Sequence, residues 1–232
     1  MKETLGVQAT ALCGIAAALF VCGTGAVAQT GSMDCTRDPS THVKLAGGDQ
    51  SSPTHLQLAR KISTGAYFDL NVCDAELTIK GGKDDMLRVS VDFDSGAPKL
   101  PAADYLQAFD VTPQNVNLKL YLPKRPRAKV IIVLPTSIPK TQVNLVRGDL
   151  SFETDRIYGE RRINVVSGHV DLLANEDSYK TLETSVLLGS YHDHRQRKRD
   201  AYGMFSETLS GTGAGSIDVN VVKGSLDLKA WD

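Results

Sequence analysis

Tryptophan occurs once in the 232 residues, at Trp231, and aromatic residues make up only 6 % of the chain. Single-stranded nucleic acid stacks its bases on aromatic side chains set among basic ones, and no stretch offers that interleaving. Charge of one sign is lacking too. The net charge is −1, which removes any global electrostatic case for nucleic acid as a partner. The apolar run Ala9 to Cys22 is too short and too rich in small residues to make a good spanning helix. Catalytic signatures are missing as well. No G-x-S-x-G elbow occurs. Cys35 and Cys73 have no base beside them in sequence. Gly211-x-Gly213-x-Gly215 lacks the strand-then-helix setting of a phosphate loop and reads as a flexible return. No catalytic residue and no cofactor is therefore assigned.

What the chain does have is a repeat. Val143 to Phe152 reads V-N-L-V-R-G-D-L-S-F. Ile163 to Leu172 reads I-N-V-V-S-G-H-V-D-L, and Val219 to Leu228 reads V-N-V-V-K-G-S-L-D-L. Leu70 to Ile79 is a further copy with Ala75 in the glycine's place, and Thr184 to Asp193 is a worn one. Counting from the glycine as zero, positions −5 and −3 are apolar, and so are −2, +2 and +4. Alternation by two is the strand signal. Two adjacent apolar residues at −3 and −2 cannot both face one side of a strand, so each copy is expected to bend there, with the inward parity passing to −2. The column Gly148, Gly168, Gly189 and Gly224 then suits a crowded inner position or a close backbone approach.

Position −4 holds Asn71, Asn144, Asn164 and Asn220. These amides either form a hydrogen-bonded ladder between stacked copies or are polar outward residues near a corner. Gly148, Gly168 and Gly189 lie 20 and 21 residues apart. A period near 20 with short strands predicts an all-β fold, a β-solenoid of about 20 residues per coil, with a β-sandwich as the alternative.

Residues 1–28 read as a secretory signal: Lys2, the apolar run, then Ala26-Val27-Ala28 before Gln29. Export of the chain follows as an expectation, with no transmembrane span once the signal is cleaved. Residues 29–65 form a polar arm with one short strand near His55 to Leu58. Residues 66–232 form the single repeat domain, with an inserted loop at 191–215. Ala102 to Phe109 is the helix candidate. The cysteines left after cleavage, Cys35 and Cys73, either form a disulfide or leave Cys73 as a buried thiol.

Taken in order, the strand pair around Leu70 to Val91, V-I-I-V-L-P at Val130 to Pro135, the V-N-L-V-R-G-D-L-S-F copies and the last G-S-L-D-L resemble a known family. It is the bacterial exported "putative adhesin" domain family of unknown function, related to head-GIN-type domains. The resemblance covers roughly residues 60–232. It implies a β-solenoid-like fold in an envelope or secreted protein, and it brings no catalytic or binding residues to carry over.

One cluster has metal-ligand character. At position +3 the copies read Thr78, Ser151, Asp171, His192, Asp227 in chain order. If they stack in that order, Asp171 and Asp227 flank His192, with His194 on the same face. The plainer reading is a solvated polar column leading into the basic run Arg195, Arg197, Lys198, Arg199, and no metal is assigned. The expected function is non-enzymatic: an exported envelope or surface interaction scaffold, adhesin-like, whose partner classes are envelope polymer, glycan or protein. The alternative is a carbohydrate-binding or polysaccharide-active β-helix protein using outward acids.

Overall fold

The computed structural model describes residues 35–93, 98–153, 159–195 and 199–231. The expected signal, 1–28, and the start of the polar arm lie outside the described residues. Strands follow one another in the order β1 (Gln50–Ser51), β2 (His55–Lys61), β3 (Tyr67–Gly82), β4 (Met86–Phe93), β5 (Leu106–Val111), β6 (Asn115–Leu120) and β7 (Ala128–Pro135). Then come β8 (Lys140–Glu153), β9 (Glu160–Leu173), β10 (Tyr179–Asp193), β11 (Arg199–Tyr202), β12 (Phe205–Ser210) and β13 (Gly215–Lys229). The fold is all-β, built on one mixed sheet. The helix candidate is a single 3-10 turn, Ala102–Tyr105, running directly into β5. Leu106 and Phe109 pair into β6 there, so tertiary pairing overrides the local helical spacing.

The five copies are the long strands β3, β8, β9, β13 and β10. They run parallel and in register, Asn beside Asn from β3 to β13 and Gly beside Gly from β8 to β10. They do not stack in chain order. The last copy, β13, lies between β9 and β10. The reason is the interval 191–215, expected as a loop, which carries two strands. β11 and β12 run back antiparallel along β10, pairing with Ser190–Asp193 and Thr181–Val186 respectively. Having covered the outer edge of β10, the chain returns on its inner side as β13. The return is tied down: Gly211, Thr212 and Gly213 donate backbone N–H bonds to Lys180, Glu176 and Tyr179. A flexible return is therefore not what forms.

Each copy bends at position −2. Strand pairing skips Cys73 beside Val146, and Leu187 beside Val222. The halves before and after the bend have different outer partners: the first half of β3 pairs with β6, the second with β7. Inward residues from both halves, such as Val143 and Leu145 before the bend and Leu150 and Phe152 after it, join one buried cluster. Each such side chain contributes about 1.5–3 kcal/mol. The expected inward parity at −2 is wrong. Val166 is 47 % exposed and Val222 44 % exposed, and inward facing resumes only at +2. Cys73 is buried at this position because Cys35 is bonded to it, with their Cα atoms 5.6 Å apart.

The corner glycines have a specific cause. Gly148, Gly168, Gly224 and Gly189 have φ of +130°, +156°, +143° and +157°. A Cβ at Gly168 would lie 1.6 Å from the carbonyl oxygen of Gly148, and one at Gly224 would lie 1.7 Å from that of Gly168. Each missing Cβ makes room for the backbone of the copy beneath. Ala75 escapes the rule because it belongs to the first copy. β6 ends opposite Val72 and β7 begins opposite Glu76, so no strand pairs with the first copy at its corner from that side.

Candidate functional site

The outward columns carry the polar chemistry. At position −4, Asn144 Nδ2 donates to Asn71 Oδ1 at 3.0 Å, Asn164 Nδ2 to Asn144 Oδ1 at 2.9 Å, and Asn220 Nδ2 to Asn164 Oδ1 at 3.3 Å. Of the two readings of these amides, the geometry is that of a ladder. Its spacing follows from parallel strands about 4.8 Å apart, which let each amide bridge to the next. The ladder is structural and holds the four strands in register.

Beyond the bend, position +3 reads Thr78, Ser151, Asp171, Asp227, His192 in spatial order. Asp171 and Asp227 are therefore direct neighbours. The expectation that they flank His192 fails because β13 inserts before β10. His192 turns the other way, its Nδ1 2.7 Å from Asp200 Oδ1 on β11 and its ring edge-on to Tyr202. His194 does reach the acids, with Nε2 3.4 Å from Asp227 Oδ1.

The residue the sequence reading missed is His169. It sits at position +1 of β9, on the same outward face as Asp171. Its Nε2 lies 3.1 Å from Asp171 Oδ1 and 3.5 Å from Asp227 Oδ2. Its Nδ1 lies 2.7 Å from Ser225 Oγ on β13. His169-x-Asp171 on one strand was the available signal, since alternate residues share a face. Lys229, at +5 on β13, completes the group with Nζ 2.5 Å from Asp171 Oδ1. That contact is an ion pair by distance without hydrogen-bond alignment. Asp171 Oδ1 and Asp227 Oδ1 are both buried atoms whose contacts to His169, Lys229 and His194 are ionic, without an aligned hydrogen bond. The cluster is half-buried, with histidine, aspartate and lysine side chains drawn from β9, β13 and the end of β10.

The two described arginines of the basic run beside it, Arg195 and Arg199, are both paired. Arg195 is buried and donates through Nε and Nη2 to Asp193, both at 3.0 Å, and through Nη1 to Tyr179 Oη at 2.7 Å. Burial alone would pull its guanidinium down, but the bonds it donates to Asp193 and Tyr179 hold it above its ordinary value. Asp193 occupies the inward +4 position, where the other copies hold Ile79, Phe152, Leu172 and Leu228, so Arg195 neutralises a charge already turned into the core. Arg199 pairs with Glu207 and lies over the Phe205 ring. Arg197 and Lys198 lie outside the described residues.

A second buried cation is unlike Arg195. Arg161 is only 4 % exposed, at the inward −7 position of β9, in register with Thr141 and Ile217. Its Nη1 donates to the Glu160 carbonyl at 3.1 Å. Burial pushes its guanidinium down to about 10.

No family model and no curated protein matches the chain. Among solved structures, a "putative cell adhesion protein" from Clostridium sporogenes is similar over 78 % of this chain and 100 % of its own, at 14 % identity and a TM-score of 0.44. A "putative lipid binding protein" from Parabacteroides distasonis covers 77 % of this chain and 98 % of its own, at 11 % identity and a TM-score of 0.25. At those scores neither likeness carries an argument about this chain's function. No helix among the described residues is long and apolar enough to cross a membrane.

Proposed function

We propose that the protein is an exported, non-enzymatic interaction scaffold of the cell envelope or surface, with its copies arranged as coils of a β-solenoid. The observation that carries this reading is the in-register stack. Five parallel copies set their outward residues in straight columns, and an asparagine ladder and a close-packed glycine corner brace them. Such a stack presents a rigid, extended polar face of the kind repeat proteins use for contact with large partners. Envelope polymer, glycan and protein are the partner classes. Export rests on the segment 1–28 of the sequence and on the disulfide between Cys35 and Cys73, a bond that persists in oxidising compartments. Cell fractionation with an antibody to the chain, joined to protease shaving of intact cells, tests the reading. A shortened chain in an extracytoplasmic fraction supports it. A full-length chain confined to the cytoplasm contradicts it.

One observation favours a second reading, a polysaccharide-active protein: Asp171 and Asp227 are side by side on an outward face, and glycoside hydrolysis uses paired carboxylates. Turnover of envelope or plant polysaccharide that is lost in Asp171→Asn and in Asp227→Asn would carry that reading over the first.

A further inference from the structure

We propose that His169, Asp171 and Asp227 form a binding site for a zinc-class divalent cation, with His194 as the fourth ligand. The three residues each offer one ligand atom, all within 4.8 Å of one another. The finer distances bear on which cation fits. Zinc takes nitrogen and oxygen ligands at about 2.0–2.2 Å in a tetrahedron, whose edge is then about 3.3–3.6 Å. His169 Nε2 lies 3.1 Å from Asp171 Oδ1 and 3.5 Å from Asp227 Oδ2, and His194 Nε2 lies 3.4 Å from Asp227 Oδ1. The two His169 separations need little adjustment to become tetrahedral edges, whereas the exposed His194 faces the other oxygen of Asp227 and must rotate to join them. Two imidazoles and two carboxylates suit zinc or a neighbouring transition ion better than calcium or magnesium, which take oxygen ligands.

Two features beyond the ligand set point the same way. His169 Nδ1 is held by Ser225 Oγ at 2.7 Å. When that Nδ1–H donates to the hydroxyl, Nε2 carries the lone pair and faces the two acids, the arrangement found behind metal-bound histidines. Asp171 Oδ1 and Asp227 Oδ1, meanwhile, are buried oxygens that face Lys229, His169 and His194 at ion-pair distance without an aligned hydrogen bond. The group that stands against a cation is Lys229, paired with Asp171. Its Nζ must swing away as the ion enters, and its side chain, 41 % exposed, is free to do so. The competing account is a closed ionic network of His169, Lys229 and the two acids, with no ion bound.

The site would also bind the stack together. It takes ligands from β9, from β13 and from His194 at the entrance to the β11–β12 segment, so the ion would anchor that segment to the outer face. This goes beyond the scaffold reading, and its test needs no knowledge of where the protein works in the cell. The purified chain is titrated with zinc chloride, cobalt chloride, calcium chloride and magnesium chloride, with binding followed by calorimetry and by melting temperature. One zinc per chain is expected, with a tetrahedral cobalt spectrum and no comparable response to calcium or magnesium. His169→Ala and Asp227→Asn should abolish binding, and His194→Ala should weaken it about tenfold or more. Lys229→Met removes the competing charge without touching a ligand, so it should tighten zinc binding. The closed-network account predicts no zinc response in any variant. Absence of binding, binding that survives His169→Ala, or binding that Lys229→Met leaves unchanged overturns the assignment. Far-UV spectra of each ion-free variant separate loss of the site from loss of the fold.

Discussion

At the scale of single residues, the corner column is where a small change should do most. Gly168 has φ +156°, and a methyl group there would meet the Gly148 carbonyl oxygen at 1.6 Å. Both strands are interior to the stack, so the backbone has nowhere to retreat. Gly168→Ala is expected to cost at least about 3 kcal/mol, read as a lowered denaturation midpoint. Ala75→Gly, at the same column position in the first copy, should cost only about 1–2 kcal/mol, from a lost buried methyl and added chain freedom. A buried charge gives the opposite expectation. Arg161 is inward and has no carboxylate partner among the described residues. Arg161→Met should therefore be stabilising, on the order of 1–3 kcal/mol, because it removes an uncompensated desolvation. The sign with pH follows from the lowered value. Between about 10 and the ordinary arginine value the unfolded chain binds the extra proton, so the native protein gains stability as pH rises. The advantage of Arg161→Met in melting temperature should accordingly be full at neutral pH and shrink above about 10. Much at this scale was legible in the sequence: the glycine and asparagine columns were visible as repeated letters. The facing of −2 was not. Val166 and Val222 are apolar and yet exposed, and apolar type alone cannot say on which side of a bend a side chain emerges.

At the scale of elements, the interval 191–215 decides the architecture. β11 and β12 pair along the outer edge of β10, and Phe205 stacks on the buried Tyr191 ring with centroids 4.4 Å apart. An exposed edge in a parallel stack is a template for pairing with another chain. Phe205→Asp should loosen this cover. The expected result is concentration-dependent association in sedimentation velocity, with faster proteolysis within 199–214. A variant that keeps the parent's sedimentation behaviour and protease resistance would remove the covering role. The sequence marked this stretch as the one departing from the repeat, but its charged, glycine-bearing composition read as loop. Its strands are set by partners rather than by propensity. The edge of β10 supplies the hydrogen bonds, and Asp193 with Arg195 and Tyr179 closes the core beneath it. Strand order escaped the sequence for the same reason. Copies similar in sequence can pair with any neighbour copy, and only the path of the connection puts β13 inside β10. His169 was missed as a consequence: its partner Asp227 becomes adjacent only in that order.

For the whole molecule, the order β3–β8–β9–β13–β10 underlies both the scaffold and the proposed cation site. It sets Asn220 on Asn164, Gly224 on Gly168 and Asp227 beside Asp171. The most direct measurement is therefore cysteine cross-linking on an outward column away from the site. Asp218 is in register with Arg162 on one side and Glu183 on the other. Arg162→Cys paired with Asp218→Cys should cross-link in high yield with a short thiol reagent, read by peptide mass spectrometry. Arg162→Cys paired with Glu183→Cys should fail, because the two positions are two strands, about 10 Å, apart. Efficient cross-linking of Arg162→Cys to Glu183→Cys, with none to Asp218→Cys, would mean that the copies stack in chain order and would contradict the account.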